Sequence, residues 1–157
     1  MDEVKGGRPA SAEGAGIPGT VVFKLGTLGT VAADRFAAAV EPLGVKPKHV
    51  GLMVALAHAT SASQQDLAAR LGVVPSLVVS LADHLERLGA VERVRDPADR
   101  RRQILTLTDE GRELLARCTA TAQTLDRQFT AALTPAQLTA LQQALAVLAA
   151  EAGLPTE

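Results

Sequence analysis

Three consecutive arginines, Arg100, Arg101 and Arg102, lie in the stretch VERVRDPADRRRQILTLTDEG, between two short β-branched runs. Guanidinium groups keep their proton at every accessible pH, so their chemistry is recognition: forked, charge-assisted hydrogen bonds to phosphate or carboxylate. Between positions 87 and 102 six arginines (87, 93, 95, 100, 101 and 102) stand against three acids (Glu92, Asp96 and Asp99). The local field is positive although the 157-residue chain has a formal net charge of -1. Nothing comparable supports catalysis. The chain shows no Ser/His/Asp order, no phosphate-binding glycine loop and no metal motif. Its single cysteine, Cys118, excludes an intramolecular disulfide and a multi-cysteine metal site supplied by one chain. His49, His58 and His84 lack ligand spacing, so neither a metal nor a cofactor is expected. Three Phe with neither Trp nor Tyr disfavour base stacking, and with it single-stranded nucleic acid.

The elements that must present these arginines follow from apolar periodicity and stop signals. Residues 1–19, rich in Gly, Ala and Pro without periodicity, read as a flexible arm, and residues 20–157 as a single domain. No window of about 18 apolar residues suggests a membrane span, and the N-terminus lacks the apolar core of a secretory signal. A cytoplasmic protein with no membrane partner is expected. A helix over residues 20–40 carries Val21, Leu25, Leu28, Ala32 and Phe36, with Gly26 and Gly29 open to close approach by another helix. Pro47 starts a second helix, with Leu52, Met53, Leu56 and Ala57 on its apolar face, ending near Ala59. SQQDLAARLG is a short third helix, with a loose capping box from Ser63 to Asp66 and a stop at Gly72. A fourth runs from Pro75 to Leu88, with Leu77, Leu81, Leu85 and Leu88 on one face. Residues 91–95 and 103–107 read as strands of a hairpin whose tip is the arginine cluster. Thr108 caps a long helix to about Ala132, and Thr134, Pro135 and Gln137 open a last helix to about residue 152.

Two helices joined by a tight turn and followed by a basic hairpin make a winged helix-turn-helix. The expected fold class is therefore mainly α with one small β-hairpin: a winged-helix lobe at about 47–107 and helical dimerisation segments at about 20–40 and 108–152. A helix fits the major groove of duplex DNA while a hairpin reaches the neighbouring backbone or minor groove. The outward stripe of the Pro75 helix, Ser76, Val79, Ser80 and Asp83, offers hydroxyls and a methyl surface but no bidentate arginine for guanine. Gln64, Gln65 and the helix start at Pro75 and Ser76 are candidate phosphate contacts. His84, Arg87 and Arg95 complete the candidate DNA-facing set.

At these residues the chain resembles the multiple antibiotic resistance regulator (MarR) family of winged-helix transcription regulators, over roughly residues 20–150. The wing pattern, Asp-x-Arg, a strand ending Leu-Thr and a helix with an early glycine, is met by Asp99, Arg101, Leu107, Thr108 and Gly111. QQDLAARLG followed by a leucine-spaced helix ending LERLG matches as well. The resemblance implies that Arg101 enters the minor groove, that Asp99 orients it, that Arg100 and Arg102 lie near phosphates, and that the Pro75 helix reads the major groove. Ser80 and His84 stand where family members often carry Arg or Lys, and Leu77 where they carry Thr.

The terminal helices carry more apolar surface than one winged helix covers, and in the family such helices interlock in a homodimer. Val21, Leu25, Leu125, Phe129, Leu138, Leu141, Leu145 and Leu148 are the candidate interface residues. A small-molecule effector pocket is implied by the resemblance, with Phe36, His49, Met53, Arg112 and Cys118 as candidates. The expected function is a homodimeric repressor that binds a pseudo-palindromic double-stranded operator and is released by that effector. The alternatives are a winged-helix module that docks protein on its arginines, and a redox-sensing regulator working through Cys118.

Overall fold

The computed structural model describes residues 16–58 and 63–154. The arm expected over residues 1–19 lies outside the described residues as far as residue 15. At its end, Ile17–Gly19 form a 3-10 turn with Pro18 in its first positions, where the fixed proline φ suits a helical turn. Helices α1 (Val21–Val40), α2 (Pro47–His58), α3 (Gln64–Leu71) and α4 (Pro75–Arg87) precede strands β1 (Val91–Arg95) and β2 (Gln103–Leu107). Helices α5 (Asp109–Phe129) and α6 (Pro135–Glu151) complete the chain, and a second 3-10 turn, Glu41–Leu43, follows α1. The helix-rich chain with one antiparallel hairpin is the fold class expected from the sequence.

Two compact units divide within α1, after Asp34. In the first, Val21, Val22, Phe23, Leu25 and Leu28 are all exposed, and a Cβ added to Gly26 or Gly29 would meet open space. The second unit holds the core. Val40 at the end of α1, Leu52 and Met53 of α2, Leu67 of α3, Val78 and Leu85 of α4 and Cys118 of α5 are its largest fully buried side chains. On α4 the buried stripe is Val78, Leu81, Ala82 and Leu85. The expected stripe keeps Leu81 and Leu85, but its phase shifts toward Val78 and Ala82, because the neighbouring helices and not the 3.6-residue period select which side of α4 is buried. Leu77 is half-buried and Leu88 exposed. Ala57, expected on the apolar face of α2, is likewise exposed.

The hairpin pairs Val91 with Leu107 and Arg95 with Gln103. Its strands pack their root, Val91, Leu105 and Leu107, into the core. The junction between α4 and β1 is fixed to the start of α5. Thr108 N–H donates to the Ala90 carbonyl (3.2 Å), its hydroxyl donates to the Gly89 carbonyl (2.6 Å), and that hydroxyl accepts from Gly111 N–H (3.0 Å). Gly111 is buried where any Cβ would overlap the Ala90 carbonyl, which is the physical reason for glycine at this position. α6 opens with the capping box expected at Thr134 and Gln137, yet it buries no residue.

Candidate nucleic-acid interface

The candidate residues are placed by two local devices. The first is the start of α3, where the Ser63 hydroxyl accepts from Asp66 N–H (3.2 Å) and the Asp66 carboxylate accepts from the Ser63 N–H (3.1 Å) and hydroxyl (2.6 Å). These bonds hold the Asp66 carboxyl below its usual range, with Arg102 and Arg70 adding a smaller electrostatic pull. The chain turns by 106° between α3 and α4, through Gly72 at φ 62°. α4 then begins at Pro75 with no side-chain cap, leaving the N–H groups of its first turn without a capping side chain. Ser76, Val79 and Ser80 are exposed on the side away from the buried stripe.

The second device is the hairpin tip. Asp99 accepts from Arg101 N–H on its side chain (3.0 Å) and from Arg102 N–H on its carbonyl (2.9 Å). Asp96 donates its N–H to the Arg102 carbonyl (2.9 Å) and accepts from Ala98 N–H on its carboxylate (2.8 Å). The Arg95 guanidinium reaches the Arg100 carbonyl (3.5 Å). Asp99 thus acts on the backbone of Arg101 and not on its guanidinium. The backbone is folded locally while Arg100, Arg101 and Arg102 all stay exposed.

The two devices meet. Ser63, Gln64 and Gln65 from the start of α3 line one polar recess together with Arg102 and Gln103 from the hairpin. Gln64 is half-buried and Gln65 exposed. Of the residues lining this recess, Gln64, Gln65 and Arg102 are among the DNA-facing candidates named from the sequence, and Ser63 and Gln103 are not. Ser63 was legible only as a cap, and Gln103 only as a strand residue.

Other candidates sit differently. Arg93 of β1 pairs with both Asp83 and Glu86 of α4, and these bonds, that to Asp83 foremost, raise its guanidinium further above the ordinary range. Asp83 is therefore committed to a protein cation. His84 donates from Nε2 to the Gly44 carbonyl (2.8 Å), and its ring stacks on that of His49 at 4.3 Å between centroids and 22° between planes. Arg87 is exposed at the end of α4.

The five effector candidates do not share one environment. Met53 and Cys118 are core side chains, Phe36 packs half-buried against that core, and Arg112 is exposed. Burial pushes the Cys118 thiol up, which keeps it a protonated and sluggish nucleophile. His49 is buried, and burial, with smaller contributions from His84 and Lys46, lowers its pKa to about 4. Two apolar grooves open elsewhere, one lined by Ala39, Ala120, Thr121, Thr124, Leu125 and Gln128, the other by Pro47, Lys48, Gly51, Leu71, Val73 and Leu81. Of the interface candidates in the terminal helices, Val21, Leu25, Leu141, Leu145 and Leu148 are exposed, and Leu125, Phe129 and Leu138 half-buried. The Arg35 guanidinium lies 5.3 Å from the centre of the Phe129 ring.

Residues 43–102, the second helix through the arginine cluster, match the model of the MarR family. A putative transcriptional regulatory protein for the hcr operon of Thauera aromatica is 33% identical over 137 residues, 83% of this chain and 82% of that protein. Among solved structures, CouR from Rhodococcus jostii RHA1, bound to p-coumaroyl-CoA, superposes with a TM-score of 0.71 at 25% identity, covering 87% of this chain and 96% of that one. A MarR family protein of Mycobacterium tuberculosis in complex with DNA gives 0.72 at 27% identity, over 82% of this chain and 97% of that one. With the helix-turn-helix, the Asp99-ordered wing and the glycine-tight start of α5 all in place, the chain belongs to the MarR family of winged-helix transcription regulators.

Proposed function

We propose that this regulator is a homodimeric repressor that binds a pseudo-palindromic double-stranded operator in the cytoplasm and is released from it by a small molecule. The observation that carries the DNA reading is the shared recess of Ser63, Gln64, Gln65, Arg102 and Gln103, which brings the start of α3 and the tip end of the hairpin to one site. Phosphate beside that recess would meet helix N–H groups, amides and a guanidinium together. α4 enters the major groove with Ser76, Val79 and Ser80 toward base edges, and Arg100 and Arg101 extend to the adjacent backbone and minor groove. The exposed apolar side chains of α1 and α6 support the dimer, since a second copy of the chain is the partner that two-fold symmetry supplies. The relatives solved with DNA and with p-coumaroyl-CoA support DNA binding and control by a small molecule.

A nuclease footprint of the purified protein on the DNA flanking its own gene tests the reading. The expected result is protection of an inverted repeat with half-sites about 10 bp apart, centre to centre. Affinity should fall steeply with added salt, as counterion release requires. Absence of any salt-sensitive footprint would remove the DNA reading and favour an acidic protein as the ligand of the arginine cluster.

A further inference from the structure

The recognition helix is gripped from a side that meets no DNA in the proposed arrangement. His84 lies in the second half of α4, and its Nε2 bonds the carbonyl of Gly44, forty residues away in sequence. Because a carbonyl only accepts, the His84 proton sits on Nε2. His49 is the third residue of α2, and its Nδ1 accepts from the Lys46 N–H (2.9 Å), the donor that an N3 side chain takes in a capping box. Its proton therefore also sits on Nε2. The two rings stack, and both bond the backbone of one three-residue connector, Gly44 to Lys46, which joins the 3-10 turn after α1 to α2. Gly44 takes a left-handed φ of 77° there, a backbone conformation that glycine adopts without steric cost. On another side Arg93 ties β1 to Asp83 and Glu86 of the same helix segment.

We infer that His84 is a positioning residue for operator recognition, fixing the pose of α4 against the connector between α1 and α2 through the Gly44 carbonyl and the stack on His49. The inference rests on the operator reading above. It makes His84 a determinant of specificity without base contact, since a recognition helix that rocks misplaces Ser76 and Ser80 against base edges while leaving phosphate contacts available. It also places the connector, and so any movement at the end of α1, in direct mechanical contact with the DNA-reading element.

The test measures binding of the full chain to the footprinted duplex and to a scrambled duplex of equal length, across a salt series. His84→Leu should lose about tenfold in affinity for the operator, the scale of one hydrogen bond, with unchanged affinity for the scrambled duplex and an unchanged salt slope. His84→Gln, whose amide can donate to the same carbonyl, should stay within about threefold of wild type. Equal losses on both duplexes with a shallower salt slope would make His84 a phosphate contact and overturn the inference, as would an unaltered operator affinity in His84→Leu. Should His84→Leu fail to fold by circular dichroism, imidazole nitrogen NMR of the wild type decides. An Nε2 proton on His84 in free and operator-bound protein is expected, and a ring that lacks the Nε2 proton in the complex overturns it. A wild-type protein that fails to distinguish operator from scrambled DNA removes the operator reading itself, whereas discrimination untouched by His84→Leu removes only this inference.

Discussion

Gly111→Ala tests whether the wing is locked to α5 by backbone contact. Alanine in a helix interior is favoured over glycine by ~1 kcal/mol, so on propensity alone the variant gains. An ideal Cβ at this position overlaps the Ala90 carbonyl oxygen, lies 2.8 Å from the Ala90 carbonyl carbon and 3.1 Å from Leu107 Cδ2. Two of these neighbours are main-chain atoms that cannot rotate away. Relief requires moving either the Gly89–Ala90 junction or the first turn of α5, and either movement strains the Thr108 bonds to the carbonyls of Gly89 and Ala90. Overpacking of this kind costs ~3 kcal/mol, which leaves a net destabilisation of ~2 kcal/mol after the helical gain. At this chain length that is a fall of about 4–8 °C in Tm at fixed protein concentration. The control is Gly51→Ala in α2, whose Cβ would lie 3.7 Å from Leu71 Cδ2, an ordinary contact. That variant should melt at or slightly above wild type. If Gly111→Ala also melted at or above wild type, the close approach of the Gly89–Ala90 junction to α5 would be wrong, and with it the account of how the wing is held.

Arg101→Ala should weaken operator binding by about 1–3 kcal/mol if the side chain meets a base edge, whereas Arg100→Ala or Arg102→Ala should lower the salt slope by about one on any sequence. An unchanged slope in the triple alanine variant, measured by titration over salt, would refute phosphate contact by the wing. Leu141→Asp should give a monomer that still shows a cooperative melt, because no residue of α6 is fully buried within the chain and Leu141 is exposed. Operator affinity should collapse with the dimer, and sedimentation showing an intact dimer would place Leu141 outside the interface. His49 supplies a pH dependence. Its pKa near 4 in the folded chain lies below the ordinary 6.5, so the unfolded chain binds the extra proton. Its contribution is present above about pH 6.5 and is lost as pH falls toward 4, with a ceiling of ~3 kcal/mol that solvent screening reduces to ~1–2 kcal/mol. Chemical denaturation of His49→Gln should therefore show a shallower loss of stability than wild type over that interval, and parallel curves would refute a neutral, bonded His49.

By itself the sequence determined the elements and their ends, because those are written in local chemistry. Ser63 with Asp66 and Thr134 with Gln137 form the capping boxes their spacing announces, and both strands match their β-branched runs residue for residue. The identity of the reader was legible for the same reason, since the Asp99-x-Arg101 turn and the early Gly111 are short-range patterns. Tertiary structure decided what those elements touch. The fully buried stripe of α4 runs through Val78 and Ala82, with Leu77 at its half-buried margin and Leu88 exposed, because neighbouring helices select which apolar residues face them and periodicity alone leaves the phase free. Asp83 and His84 look outward in a helical projection, yet a strand arginine ten residues away claims the first and a carbonyl forty residues away claims the second. Gly111 reads as a weak helix residue until the Ala90 carbonyl is seen against it. Pairings of this kind depend on distances set by the folded backbone, and no spacing along the chain encodes them.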